Sequence, residues 1–561
     1  MAKTAKANKN LKGKPSKKPV NKGLLKTKNP EIMATIVLVM ILALIAFIRI
    51  RLLSFPLERD EGEYAYFGQL ILHGIPPYKM AYNLKLPGTY YSYALIMAFF
   101  GQTIQGIHFG LLLFNLGSLV FLYLITKKLF NSFTALIAVL TCGMLFISPS
   151  LLAQAAHATH FVTFYMLVGT YLLILGMENN KLVYYLFSGI MMGLAFIMKQ
   201  AGLFFSVFGG IILILNYFIN KPGNLTRSLL NLILYGVGVC IPAGITFLLM
   251  AASGVFDNFW FWTFIYPRTY GSKVPLSQAW SNFIQLFPMV TINFTLYWIL
   301  SALGIISLFF YKGKQWNRIF LGLFLVFSFL TAVPGFYFRN HYFIPVLPAV
   351  GILTGLFFET VNLLIIKYFK YIRIITAGIF IILVISQLSS QYQKEVFFIH
   401  EPNDLCRLIY NGNLFTEAIP VAKYIQANTS EKDRVFIFGS EPEIYFYSQR
   451  TSATGYIYMY DLVFEHKFVK QMQKELMQEV EKAKPKYIVF VSCPYSWLAA
   501  QDLAEPLFKW FNSYLEKEKF VTVGIADYLF PDPTVYLWNE DAGKYNPKSK
   551  TFIRVFRRGD T

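Results

Sequence analysis

Residues 53–74, LSFPLERDEGEYAYFGQLILHG, follow the first long apolar run and carry Glu58, Asp60, Glu61 and Glu63 within six positions. Acids are otherwise scarce in this part of the chain. Residues 1–389 hold 30 Lys and Arg but only eight acids, the other four being Glu31, Glu178, Asp257 and Glu359. Residues 390–561 carry 21 basic and 22 acidic side chains, so the net charge of +21 belongs to residues 1–389.

The chain of 561 residues is 55% hydrophobic, with a mean hydropathy of +0.47, which excludes a soluble globular composition. Several runs reach the ~20 apolar residues that cross a bilayer. Hydropathy and loop charge predict eleven spans, at 32–50, 106–126, 132–149, 161–177, 183–198, 200–219, 228–251, 288–310, 317–334, 342–365 and 371–389. With a cytoplasmic N-terminus, every predicted inside loop is basic: Lys127 and Lys128; Lys181; Lys221 and Arg227; Lys312, Lys314 and Arg318; Lys367, Lys370 and Arg373. An odd number of spans then puts residues 390–561 outside. Residues 1–31 read as a basic cytoplasmic tail, with ten lysines and no acid in the first 28 positions; anionic lipid is its expected neighbour. No small-residue cleavage site follows the first run, so it reads as an uncleaved helix.

In the first outer loop, 51–105, EYAYFGQLILHG and TYYSYALIMAFFG have the mixed character of helices lying in the interface. Beyond 390, RVFIFGS (434–440) and KYIVFVS (486–492) predict buried strands, and Val469, Met472, Leu476 and Val480 recur at helical spacing between them. VTVGIAD, TVYLWN and FIRVF are further strand candidates, giving a C-terminal α/β domain. Cys142 and Cys240 lie in apolar helices and read as core residues; Cys406 and Cys493 are open to a disulfide or to two buried thiols.

On this topology only the 58–63 cluster and Asp257 offer carboxylates to the outer side from the membrane half. A base for outer-face chemistry would therefore come from ERDEGE, with Asp60 and Glu61 at its centre. The alternative is a solvated loop that pairs with Arg49, Arg51 and Arg59. The outer basic groups are Lys79, Lys85, Lys199, Arg268, Lys273 and Arg339. Several lie in aromatic, low-charge surroundings (MKQAG, FIYPRTYG, GFYFRNHYFIPVLPA), which suit a phosphate; snorkelling to headgroups is the competing reading. Arg339 stands with His341 and Tyr342 at a span's outer end. His157 and His160 could ligate a metal at i, i+3, but a third ligand is lacking and they read as turn residues. A divalent metal is thus compatible with the sequence and not required by it. A base, cationic anchors and an outer aqueous face suggest transfer from a phosphorylated lipid, with the activated donor already attached to its carrier.

RDEGEYAYFGQLILHGIPPYKMAYNLKLPGTYYSYALIMAFFGQ resembles the first outer loop of membrane glycosyltransferases with the C-type fold, relatives of protein O-mannosyltransferases and the lipid A aminoarabinose transferase. Their pattern has an acidic DE after the first span, then G.PPY, then a KPP.YYW-like segment; here the last is KLPGTYYSY, departing at the second proline and the tryptophan. FYFRNHYFIPVLPAVGILTG resembles the family's late helix, and VFIFGSEPEIYFYSQR the start of a C-terminal domain of bacterial members. The WWDYG signature of oligosaccharyltransferases is absent. The resemblance implies a polytopic helical protein, residues 32–389 forming the transferase domain and 390–561 an extracytoplasmic α/β domain. It implies inverting transfer from a polyprenyl-phosphate sugar to a hydroxyl of a lipid, glycan or protein, at the outer face of the bacterial inner membrane. Asp60 would be the base and Glu61 its orienting partner or a contact to sugar or acceptor. Lys85, in the place of the family's KPP lysine, would hold the donor phosphate; Arg339 and Arg268, placed by topology rather than by the motif, and then Lys199 would assist, and Tyr82, Tyr90, Tyr91, His341 and Tyr342 would line the pocket. Asn83 stands where the family has an acid, which weakens a metal site drawn from that position. A polyprenyl-linked lipid transporter or flippase is the rival class; it should show charge or Gly/Pro breaks at midspan in paired halves, whereas the helix centres here are almost uncharged and the candidate residues collect at one face. A receptor or scaffold would leave the acid loop unexplained.

Overall fold

A computed structural model describes residues 30–220, 224–271, 274–498 and 501–559. The basic tail at 1–29, Lys221 and Lys273 lie outside the described residues. Helix α1 (Pro30–Arg51) leads into two helices of the first outer loop, α2 (Arg59–Leu72) and α3 (Gly88–Phe100). The later apolar segments form α4 (Ile104–Leu129), α5 (Ser132–Leu145), α6 (Ala158–Asn179), α7 (Leu182–Met198), α8 (Leu203–Asn220), α9 (Leu225–Ala252), α10 (Leu276–Thr291), α11 (Thr295–Phe310), α12 (Gln315–Leu330), α13 (Leu347–Ile365) and α14 (Ile372–Ser389). Every segment read as a span is helical. Among the described residues eight stretches are long and apolar enough to cross a membrane, while α5, α7 and α12 are shorter apolar helices. The protein is an integral membrane protein.

Outer helices such as α1 and α14 turn Val39, Phe47, Ile374 and Ile382 outward, as lipid-facing surfaces do, whereas α13 is buried almost throughout. Small residues let the inner helices meet. A methyl group on Gly189 of α7 would lie 2.1 Å from the Tyr235 carbonyl of α9, and one on Gly238 of α9 would lie 2.2 Å from the Leu186 carbonyl. This backbone-to-backbone approach is the usual solution where lipid supplies no hydrophobic drive to association. Cys142 is buried as expected, but Cys240 is exposed on α9: its position in an apolar helix did not say which face it occupies.

The sequence reading of α2 as an interfacial helix is corrected. Gly62 through Leu70 of α2 are all buried, because α2 is packed against α3 on one side and the C-terminal region on the other. That region is a six-stranded sheet of β1 (Arg434–Phe438), β2 (Thr451–Ser452), β3 (Tyr487–Ser492), β4 (Phe520–Asp527), β5 (Val535–Trp538) and β6 (Phe552–Arg558), in the order β2-β1-β3-β6-β4-β5. β2, β1 and β3 are parallel, with Val435 opposite Tyr487; β6, β4 and β5 run antiparallel. All five strand candidates formed. The amphipathic helix α16 (Val469–Ala483) buries Val469, Met472, Leu476 and Val480, the residues its spacing singled out; the short α15 (Glu443–Ser448) lies against α2. Cys406 and Cys493 are buried free thiols, which decides between the two readings.

Candidate active site

The acidic cluster is first of all a helix start. Glu58 is the N-cap of α2: its Oε1 accepts the Glu61 amide (3.0 Å), and Glu61 Oε2 accepts the Glu58 amide (3.3 Å), a reciprocal capping box. A helix turns about 100° per residue, so the next acids diverge. Asp60 points into a cavity and keeps 24% side-chain exposure, while Glu61 and Glu63 keep none. Glu61 turns inward, where Oε1 accepts the Ala156 amide (2.6 Å) and faces His108 Nε2 (3.0 Å). It does not line the cavity that Asp60 enters; of the two roles expected of it, orienting Asp60 or meeting sugar or acceptor, its position favours a part in the framework. Glu63 accepts from Lys85 (2.6 Å), Tyr90 (2.6 Å) and Tyr458 (3.1 Å), and is therefore part of the site's framework.

The cavity beside Asp60 measures about 370 Å³ and draws its walls from both halves of the chain. The first outer loop supplies Asp60, Tyr64, Asn83 and Lys85; the α7–α8 turn supplies Lys199; the segment before α13 supplies Tyr337, Arg339, His341 and Tyr342; the C-terminal region supplies Tyr458, Tyr460 and Asp461. Lys85 Nζ lies 3.0 Å from Asp60 Oδ1. Burial opposes the charge on Asp60, but this ammonium together with the His341 and His157 rings outweighs it and holds the carboxyl below the usual carboxylate range. Burial likewise opposes the charge on Lys85, and Asp60 and Glu63 reverse that. Lys199 sits 3.5 Å from the Tyr342 ring centroid, a cation–π contact. Burial brings its amine down to about 7, against the pull of Asp60 and with Lys85 and Arg339 adding to the fall. Three cations thus share one cavity with the open carboxylate.

A second cavity of about 280 Å³ meets the first at Asp60, Tyr337, Arg339, His341, Tyr460 and Leu498, and adds Glu58, Arg59 and His157. Asp60 stands at the junction. An apolar cavity of about 450 Å³ lies among α11, α12 and α13, with Phe329, Leu330 and Val350 in its wall; Phe343, two residues past His341, reaches it too.

His157, but not His160, meets possible metal ligands from elsewhere in the chain. Ligand atoms of Asp60, His157 and His341 lie within 4.8 Å of one another. The two imidazoles stack, centroids 4.1 Å apart, and buried His157 Nδ1 and Nε2 and His341 Nδ1 make no hydrogen bond. Burial lowers His157 to about 4, so its ring is neutral at pH 7, the form that binds a metal. The donor set therefore fits a divalent cation. His160 is not part of it: with the Asn115 amide turned to donate to His160 Nδ1 (2.9 Å), that pair belongs to a buried network around Arg49.

The other expected residues divide. Arg268 and Asp257 are exposed and line neither cavity. Tyr82 faces a separate cleft, stacked on Trp262 (5.5 Å) and bonded to Glu479 (3.2 Å). Tyr90 is buried behind the wall, holding Glu63, and Tyr91 is absent from the lining. These offsets follow from residues in series on a helix or an extended strap facing different ways. Tyr458, Tyr460 and Asp461 were not anticipated; the alternating tyrosines of GYIYMYD were the available signal.

A family model described as "Dolichyl-phosphate-mannose-protein mannosyltransferase" matches residues 85–250, starting at Lys85. No curated protein matches the sequence. Among solved structures the chain is similar to ArnT from Cupriavidus metallidurans bound to undecaprenyl phosphate, at 14% identity over 85% of this chain and 94% of that chain, with a TM-score of 0.51. It is also similar to the oligosaccharyltransferase of Archaeoglobus fulgidus in its apo form, at 12% identity over 91% of this chain and 75% of that chain, with a TM-score of 0.53. The AglB oligosaccharyltransferase of Archaeoglobus fulgidus, in complex with an inhibitory peptide and a dolichol-phosphate, gives 12% identity over 91% and 74%, and a TM-score of 0.52. At such identities the likeness is one of fold. The shared architecture is the C-type fold of membrane glycosyltransferases, and residues 85–250 match one family model with that description. The resemblance of the first outer loop implied this fold.

Proposed function

We propose that the protein transfers a sugar, with inversion, from a polyprenyl-phosphate carrier to an acceptor hydroxyl of a lipid, glycan or protein at the outer face of the bacterial inner membrane. On this reading residues 1–31 are a cytoplasmic tail, 32–389 the transferase domain and 390–561 an extracytoplasmic domain. The observation that carries it is Asp60, the one acid of α2 with an open side chain, at the junction of two cavities, one of which holds Lys85, Lys199 and Arg339.

The donor phosphate takes the cationic cavity, and the isoprenoid tail follows the apolar cavity beyond Phe343. The acceptor enters from the second cavity. Asp60 takes the proton of its hydroxyl as that oxygen attacks the anomeric carbon from the face opposite the phosphate. The C–O bond to phosphate breaks, and its electron pair stays on a phosphate oxygen held by the cations. Phosphate leaves readily, so no protein acid is needed. General-base help of this kind contributes ~10²–10⁴-fold.

Lys85 has two duties. In the donor-free site its ammonium suppresses the basicity of Asp60. A phosphate draws that charge towards itself, so donor binding raises the basicity of Asp60 when a base is needed. His157, His341 and Asp60 would hold a divalent cation, which when bound adds positive charge beside the leaving phosphate.

The test is incubation of the purified protein in vesicles with labelled polyprenyl-phospho-sugar and a crude acceptor extract. Release of free polyprenyl phosphate with sugar transfer is expected. Movement of intact lipid across the bilayer, with no release, would assign the protein to the flippases instead.

A further inference from the structure

We propose that an ion pair between Arg59 and Glu441 positions Asp60, so that the FGSEPE segment of the C-terminal region is a working part of the transfer site. The inference rests on the role of Asp60 proposed above. The capping box fixes the shape of the first turn of α2 but not where that turn stands relative to the cavity. Its anchor is the neighbouring residue. Arg59 borders the second cavity but is absent from the first, and it donates from Nε to the Ser440 carbonyl (2.5 Å) and from Nη2 to Glu441 Oε1 (2.9 Å), 381 and 382 residues along the chain. Asn413 Oδ1 accepts from both Nη groups (3.3 Å), and the guanidinium lies 5.3 Å from the Phe415 ring centroid and 5.8 Å from that of Tyr460. The Glu441 side chain is wholly buried, and its Oε2 accepts from Ser496 Oγ (2.7 Å).

Two further contacts fix the same turn. Gly62 admits Glu443 so closely that a Cβ on the glycine would lie 2.6 Å from the Glu443 Cβ and backbone nitrogen. Tyr458 donates to the Arg59 carbonyl (3.0 Å) as well as to Glu63, and its ring lines the cavity. The fork of an arginine satisfies a carboxylate and a carbonyl at once, which a lysine cannot reproduce. Ser440, Glu441 and Glu443 line neither cavity at Asp60, so their effect on transfer runs through α2.

Glu441→Gln, Arg59→Lys and the double variant of the full-length protein test this with two readouts. The first, free of substrate, is hydrogen–deuterium exchange. Residues 58–66 are expected to exchange about tenfold faster in each variant, with β1 and β3 unchanged. The second is transfer kinetics: kcat is expected to fall about tenfold or more with the donor KM within about threefold. The double variant should be about as slow as the worse single one, because both changes break one contact. Exchange at 58–66 and kcat both as in the wild type would overturn the proposal, as would additive losses in the double variant. Faster exchange throughout the C-terminal region would also overturn it, as a merely structural contact. If the wild type transfers no sugar from a polyprenyl-phosphate donor, the proposed function fails, and the exchange readout still decides whether Glu441 fixes α2.

Discussion

Asp60 and Glu61 are neighbours in sequence with opposite surroundings: one opens to a cationic cavity, the other is sealed against His108 and the Ala156 amide. Glu61→Gln therefore acts as a framework change. It loosens the 153–157 turn that carries His157, which is read as a fall in melting temperature worth roughly 1–3 kcal/mol. An unchanged melting temperature contradicts it. Lys199 carries a pH dependence. Its free-state pKa of about 7 means that the amine is charged below that pH and increasingly neutral above it. Phosphate requires the charged form, so binding above pH 7 must take up a proton, and affinity falls by up to about tenfold per pH unit. Titrating polyprenyl phosphate between pH 7 and 8.5, where the phosphate stays a dianion, should show this slope in the wild type. Lys199→Arg should flatten it; an equal slope in both would remove Lys199 from the phosphate site. His157→Ala should lose a bound divalent ion detected in the wild type by elemental analysis, and equal metal content in both would refute the Asp60–His157–His341 site. That Asp60, Lys85, Lys199 and Arg339 share one cavity was legible because charge in an apolar chain is conspicuous, and His341 and Tyr342 came with Arg339 as its neighbours in sequence. The orientation of Glu61 and the part played by Glu63 were not, because helical phase cannot be known before the first residue of the helix is.

The helices were the most legible elements, since a run of apolar residues bounded by basic loops leaves few alternatives. The sheet was legible strand by strand for the same reason of buried periodicity. α2 misled: its tyrosines, glycines and acids read as an interfacial helix, yet it is covered on both sides. A polar helix buried by a distant part of the chain carries no local mark of that burial. Helix packing is exacting where glycines meet. Gly238→Val places a branched side chain against the Leu186 carbonyl, where even a Cβ would lie 2.2 Å away, and α7 and α9 must separate. The expected cost is roughly 1–3 kcal/mol, the range for overpacking, read as a lower unfolding temperature in detergent. A variant as stable as the wild type would contradict the tight pairing of these helices.

The cavity at Asp60 is completed by residues that the chain reaches only after its last apolar helix, so loop 51–105 and the C-terminal region must lie on one side of the membrane. The loop-charge reading expected both on the outer side, whereas the intrusion of Tyr458, Tyr460 and Asp461 into the cavity was not foreseeable, because long-range contacts of an α/β fold leave no trace in local composition. All rests on Asp60 as the base. The most direct measurement compares wild type and Asp60→Asn for sugar transfer at saturating polyprenyl-phospho-sugar, with donor binding titrated separately. Asp60→Asn should bind the donor and transfer sugar ~10²–10⁴-fold more slowly; transfer at the wild-type rate would contradict the assignment.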